Sequence, residues 1–197
     1  KPQQGIDVSR AALVDLVYCY SQERKAENAV GYLKKLAGNR ATYLAALRKM
    51  ARRYGVMNEA AGSISVLREL LRLAPSGEER LVDVSQLHEA VRARKKYDAV
   101  GGDVALMGDV LAAYRMRIDV TERKRKEVSR QFELFIRDLL TRAQERLGKV
   151  AEKSRAAYAA DLARGYEVYV RLFPQAEQLT GMMLNMAEVQ VAAGDTL

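Results

Sequence analysis

Few residues in this chain have the type and spacing that chemistry requires. His88 is the only histidine, and its helical neighbours Val84, Ser85, Val91 and Arg92 offer no second ligand. A metal site needs several Cys, His or carboxylate donors at matched spacing. His88 therefore reads as a structural or surface side chain, and no metal is expected. Cys19 is the only cysteine, so no internal disulfide can form. Set between Tyr18 and Tyr20, it reads as a small apolar filler, with a reactive thiol as the alternative. Gly101-Gly102-Asp103 is glycine-rich, but no Lys-Ser/Thr follows and no strand precedes, so it is not a phosphate loop. It reads as the start of a helix with Asp103 as the cap. No two carboxylates stand out as an acid and base pair. The chain is expected to be non-enzymatic, with no catalytic residue and no cofactor.

The strongest binding signal is the run Arg123-Lys124-Arg125-Lys126, with Arg115, Arg117 and Arg130 nearby. Consecutive residues point around a helix, so the run does not make one stripe. It does put cations at a helix N-terminus, where the macrodipole disfavours them, and this points to a counter-ion or an acidic partner. Nucleic-acid binding would want aromatics interleaved with the cations, and none are present. A basic helical surface for nucleic acid or another anionic partner is the alternative.

The elements that position these residues are helical. The 197 residues are 49% apolar and 29% charged, which is enough to build a core and too apolar for disorder. Between Pro75 and Pro174 there is no proline, which leaves room for long helices, and alternating strand patterns with Asn-Gly or Asp-Gly turns are absent. The chain is read as all-α. No apolar stretch is long enough to cross a membrane. The net charge of +8 fits an acidic partner as well as a solvated surface. The sequence opens at Lys1 without Met and stops in what reads as a repeat-like helix, so a piece of a longer protein is expected.

Apolar residues at helical spacing divide the chain. A first helix capped by Asp7 or Ser9 buries Leu13, Val14, Val17 and Tyr18, and Ser21 to Arg24 turns the chain. The second, from about Lys25, buries Ala26, Ala29, Val30, Leu33 and Leu36 and ends at Gly38-Asn39. The third buries Tyr43, Leu44, Leu47, Met50 and Ala51, and Gly55 breaks it. The fourth carries Ala60, Ile64, Leu67, Leu70 and Leu71; the fifth carries Leu81, Val84, Leu87, Ala90 and Val91; the sixth carries Val104, Met107, Val110, Leu111 and Tyr114. Asp119 or Thr121 then caps a long helix that opens with Glu122 to Glu127 and carries apolar residues at helical spacing from Val128 to Leu147, with Gly148 its only break. A second long helix runs to Phe173 with Ser154, Ala157, Tyr158, Gly165, Tyr166 and Tyr169 on its face. A last one carries Leu179, Met183, Met186 and Ala187. Residues 1–118 thus form three helix pairs, and 119–197 a longer hairpin plus the first helix of a further repeat.

The stretch from Tyr20 to Ala37 is echoed 34 residues later from Tyr54 to Leu71, with Ala26 over Ala60, Val30 over Ile64, Leu33 over Leu67 and Leu36 over Leu70. Gly55 is followed by Ala60, Ile64, Leu67 and the closing Pro75, while Tyr166, Tyr169 and Pro174 precede Ala187 and Gly194. These residues resemble the tetratricopeptide repeat family, whose units are helix-turn-helix pairs of that length. The C-terminal text is similar to repeats of bacterial cell-envelope and assembly-factor proteins. The pattern departs from the family in having no Trp and in the length of the second hairpin. The resemblance implies an irregular right-handed α-solenoid of stacked antiparallel hairpins, with Ala26 and Ala60 at close helix contacts. It implies a protein-binding scaffold, part of a larger assembly, in the cell envelope or alternatively the cytoplasm. Helices one, three and five would then line a groove with Tyr43, Arg48, Arg52, Arg53, Gln86, Arg92 and Arg94, and the Arg bias favours an acidic protein or peptide.

Overall fold

In a computed structural model of the chain, residues 8–74 and 77–194 are described, and among them nine α-helices and one short 3₁₀ turn account for all regular structure. Asp7, one expected cap of the first helix, lies outside the described residues. The chain divides into two compact units. Among the described residues, one comprises 8–74 with 82–94, and the other comprises 77–81 with 95–194. The boundary expected after residue 118 falls inside the second unit.

The first unit contains α1 (Val8–Glu23), a 3₁₀ turn (Ala26–Asn28), α2 (Ala29–Leu36), α3 (Arg40–Val56), α4 (Ala60–Leu73) and, from Val82 onward, α5 (Glu79–Arg94). Helix α3 is the spine: α1, α2 and α4 all pack on it. The Asn39 side chain starts it by accepting a hydrogen bond from the Thr42 N–H at 2.9 Å. Its buried set, Tyr43, Leu44, Ala46, Leu47, Met50, Ala51 and Tyr54, fills the space between α1 and α4. Gly55 does not break the helix. It lies within α3, and the chain turns at Asn58, whose φ of 56° is the left-handed conformation that asparagine tolerates best after glycine.

Several expected core positions are corrected. On α1, Tyr20 is buried and Tyr18 is exposed, because the ring of Tyr18 lies under the Arg53 guanidinium instead of in the core. Leu36 is exposed because α2 ends on it. The close helix contact is not at Ala60, which is only half-buried, but two residues on at Gly62. A Cβ there would meet the Ala26 Cβ at 2.6 Å and the Tyr54 ring at 3.0 Å. Ala26 is thus correctly placed at a close approach, and Gly62 is its partner.

The second unit contains α6 (Val100–Arg115), α7 (Glu122–Leu147), α8 (Glu152–Leu172) and α9 (Leu179–Ala193). Helix α8 packs on α6, α7 and α9. Thr121 caps α7, its hydroxyl accepting from the Lys124 N–H at 3.3 Å. Three tyrosines of α8 anchor it to α7: Tyr158 donates to the Ala143 carbonyl at 2.9 Å, Tyr166 to Gln144, and Tyr169 to the Glu133 carboxylate at 2.7 Å. Each ring brings apolar area into the core while its hydroxyl keeps a partner. Ser154 and Ala157, expected on the same buried face, are exposed, since the buried residues of α8 begin only at Ala159. On α9 the buried residues are Met182 and Val189; Met183 and Ala187 face solvent, since the helix begins at Leu179 and is rotated from the expected register.

The Gly101-Gly102 pair has a reason of its own. The Gly101 N–H, at the start of α6, donates to Asp161 Oδ2 of α8 at 2.8 Å. A Cβ at Gly101 would collide with the Asp161 backbone carbonyl, so only glycine allows α6 to approach α8 this closely. The cap of α6 thus comes from another helix. Asp103 is not the cap; it lies within the first turn and is 2% exposed.

Candidate functional site

Among the described residues, no group of three or more His, Cys, Asp and Glu could hold a metal ion, and no helix is long and apolar enough to cross a membrane. His88 is buried on α5. Cys19 is exposed and not a core filler, because α1 packs through Leu13, Val17 and Tyr20.

Three concave surfaces stand out. In the first unit, a groove of about 650 Å³ runs between the C-terminal end of α3, the start of α4 and the last two turns of α5. Its floor is made of small residues and one ring: Ala51, Tyr54, Ala60, Ser63, Ala90 and Ala93. Its rim carries Arg52, Asn58, Gln86 and Glu89. The spacing on α5, residues 86, 89, 90 and 93, keeps one helix face turned to the groove. Small side chains lower the floor, which is why the space is open. Tyr54 is 1% exposed, and its hydroxyl has no hydrogen-bond partner among the described residues. Burial pushes this phenol up to about 12, and Tyr20 and Glu59 reinforce the shift.

The residues expected to line a groove separate when placed on the helices. Arg52 and Gln86 meet in this groove. Tyr43 does not: it is 6% exposed, and its hydroxyl faces the Val30 carbonyl and Glu69. Burial, helped by the Glu69 charge, pushes its phenol up to about 12. Arg48 crosses to Asp83 of α5 at 3.5 Å, a half-buried ion pair tying α3 to α5. Arg53 turns the other way, donating to the Ser21 hydroxyl at 3.2 Å and covering Tyr18. Arg92 is exposed and Arg94 half-buried, and neither lines the groove.

The basic run at the start of α7 is largely neutralised by its own helix. Lys124 pairs with Glu127 at 3.2 Å; Arg125 and Lys126 pair with Glu122 at 3.6 and 3.7 Å. Arg125 also donates to the Arg117 carbonyl at 2.5 Å. Arg117 in turn forks onto Asp119, at 3.0 and 2.5 Å; this hydrogen-bonded pairing holds the Asp119 carboxyl below the usual carboxylate range. Arg123 alone of the four is without a described partner. The acidic partner that the helix dipole calls for is thus supplied in part by Glu122 in the first turn.

The other two concave surfaces belong to the second unit. A cleft of about 480 Å³ lies between α7 and the segment after α8, lined by Arg115, Arg130, Arg137, Glu133 and Phe173 among others. Its cations are mostly engaged. Arg115 donates to the Leu172 carbonyl at 3.0 Å and to the Ser129 hydroxyl at 3.1 Å, and Arg137 pairs with Glu133 at 2.8 Å. A pocket of about 410 Å³ lies where the α5–α6 connection meets the tip of the α7–α8 hairpin. Lys95, Lys96, Arg146 and Lys149 line it. None of these four was expected to act together. The run Arg92 to Lys96 is basic in the sequence, but Arg146 and Lys149 lie 50 residues on, and only the return of the long hairpin brings them together.

Comparison of the chain with protein-family models, with curated proteins and with solved structures returns no match. The resemblance to the tetratricopeptide repeat family rests on the residues that carry it.

Proposed function

We propose that this chain is a protein-interaction scaffold of tetratricopeptide-like hairpins, and that the groove of the first unit holds an apolar segment of a partner protein. The observation that carries this reading is the groove floor. Three helices contribute small side chains to one open trough, and none of the described residues fills it. Apolar concavities with a few polar groups at the rim are the usual form of a binding site. Arg52 and Glu89 on the rim supply charges of both signs, which suits a segment with an apolar face and mixed polar flanks. Contacts between nearby helices support hairpin stacking within each unit: α3 touches α1, α2 and α4, and α8 touches α6, α7 and α9.

Selection of displayed random peptides on the intact chain tests the proposal. Peptides with an apolar face are expected to be enriched, and Ala93→Trp, which fills the exposed end of the trough, is expected to abolish their binding. Selected peptides that bind the Ala93→Trp variant as well as the parent would exclude the groove.

A further inference from the structure

We infer that the pocket of the second unit binds a small phosphomonoester with a flat aromatic body, of the nucleoside monophosphate class. This is separate from the peptide groove, which lies in the other unit. The pocket is built from two chain segments that are distant in sequence. Residues 95–98 form one wall, and residues from Arg146 to Tyr158, around the turn between α7 and α8, form the other.

Charge is the first argument. Four cations line the pocket, Lys95, Lys96, Arg146 and Lys149, and one carboxylate, Asp98. Lys96 takes Asp98 at 3.4 Å. Among the described residues, no carboxylate lies within ion-pair distance of Lys95, Arg146 or Lys149. This contrasts with the run at the start of α7, where Glu122 and Glu127 answer most of the cations. Three unanswered cations around one cavity exceed what a single carboxylate needs and match a phosphomonoester, which carries about −1.5 to −2 at neutral pH. Ser154, in the first turn of α8, also lines the pocket and adds a hydroxyl at the positive end of a helix.

Shape is the second argument. Between the cations the walls are apolar, made by the rings of Tyr97 and Tyr158 with Val150 and Ala157. Tyr97 is 6% exposed and forms a fixed floor. Tyr158 is held by its hydrogen bond to the Ala143 carbonyl at 2.9 Å, so its ring is set in place before a ligand arrives. A flat apolar body can lie against such rings, and base–aromatic contacts of this kind strengthen binding whatever the base. A volume of about 410 Å³ is in the range of small-molecule sites. Lys95 is held at φ 54°, which projects it from a turn that a β-carbon disfavours.

Calorimetric titration of the intact chain with adenosine 5′-monophosphate, adenosine, and inorganic phosphate tests the assignment. The monophosphate is expected to bind one per chain, each half alone about tenfold or more weakly, and the affinity to fall as salt is raised. The Arg146→Ala, Lys149→Ala double variant is expected to lose at least tenfold, with its circular dichroism unchanged. Ala157→Trp fills the pocket but keeps every charge, so it separates cavity from charge and is expected to abolish binding. Lys95→Gly relieves the left-handed backbone and removes one cation, so it should weaken binding without loss of fold. Absence of saturable binding would overturn the inference. So would phosphate alone binding as tightly as the monophosphate, or equal affinity in the Ala157→Trp variant. A 5′-phosphorylated oligonucleotide binding far more tightly than the monophosphate would replace the small-molecule assignment with a nucleic-acid end.

Discussion

Replacing Gly101 with alanine should destabilise the protein, while the same change at its neighbour Gly102 should not. A Cβ at Gly101 would lie 2.9 Å from the Asp161 carbonyl carbon and closer still to its oxygen. These are backbone atoms inside a 21-residue helix, so no side-chain rotation relieves the collision. Parting α6 from α8 costs about 1–3 kcal/mol, as for other over-packed contacts. The shift also stretches the 2.8 Å bond from the Gly101 N–H to the Asp161 carboxylate, and hydrogen bonds to charged groups contribute about 1.5–3 kcal/mol. Alanine regains about 1 kcal/mol of helix propensity. With the bond weakened but not lost, the balance is a loss of about 2 kcal/mol. At Gly102 nothing lies within 4 Å, so only the propensity remains, a gain of about 0.5–1 kcal/mol. Thermal unfolding followed by circular dichroism should show Tm falling by about 4–8 °C for Gly101→Ala and rising by about 1–4 °C for Gly102→Ala. A Gly101→Ala variant melting at or above the parent, or two variants moving in the same direction, would refute the crossing as the reason for the glycine.

Two further outcomes follow from the same packing. Tyr43, Tyr54, Tyr158 and Tyr166 are each pushed up to about 12 from an ordinary 10.0, chiefly by burial. The unfolded chain releases these protons near pH 10 and the folded one near 12, so the stability they support is present below pH 10 and lost as pH rises toward 12. The denaturant midpoint should fall over that window together with the appearance of tyrosinate absorbance; a midpoint flat across it would contradict the burial. Charge reversal separates Arg48 from Arg52. Arg48→Glu places a carboxylate beside the 4%-exposed Asp83 and should lower stability by about 1–3 kcal/mol. Exposed Arg52→Glu should leave the melting point within about 2 °C of the parent and alter only peptide binding. Equal melting of the two variants would count against the Arg48–Asp83 tie between α3 and α5.

Helix content was legible because it depends on local periodicity. Residues such as Leu44, Leu47 and Met50 on α3, or Phe132, Ile136 and Leu139 on α7, recur at the spacing that lines one helix face, and all are buried. Capping of α7 was legible to within two candidates, Asp119 and Thr121, since a cap acts within four residues, and Thr121 is the one that caps. Positions near helix ends were less so. Tyr18 and Tyr20 are both compatible with an apolar face of α1, and the choice of Tyr20 follows from where Tyr32 and Tyr54 wait for it; its ring lies 4.7 Å from that of Tyr32. On α9, apolar on every side, the periodicity carries no phase, so Met183 and Met182 could not be told apart.

The candidate sites divide along the same line. Arg52 and Gln86 were identifiable as solvent-facing residues of alternate helices, and they do share a groove. Arg48 and Arg53 have the same residue type and a similar position but opposite fates, because Asp83 and Tyr18 claim them from other helices.

By itself the sequence determined that this is an all-helical chain, with an early stretch echoed at 34 residues and a long hairpin after residue 119. Those properties depend on residues within a few turns of each other. Which glycine must be glycine, which arginine is free, and which four cations meet around one pocket depend on contacts between residues tens of positions apart. Asp161 reaches across to cap Gly101, Gly62 admits Ala26, and the α7–α8 turn brings Arg146 and Lys149 to Lys95 and Lys96. Only the tertiary structure decided these, because helix crossing and hairpin return bring together groups that no local pattern connects.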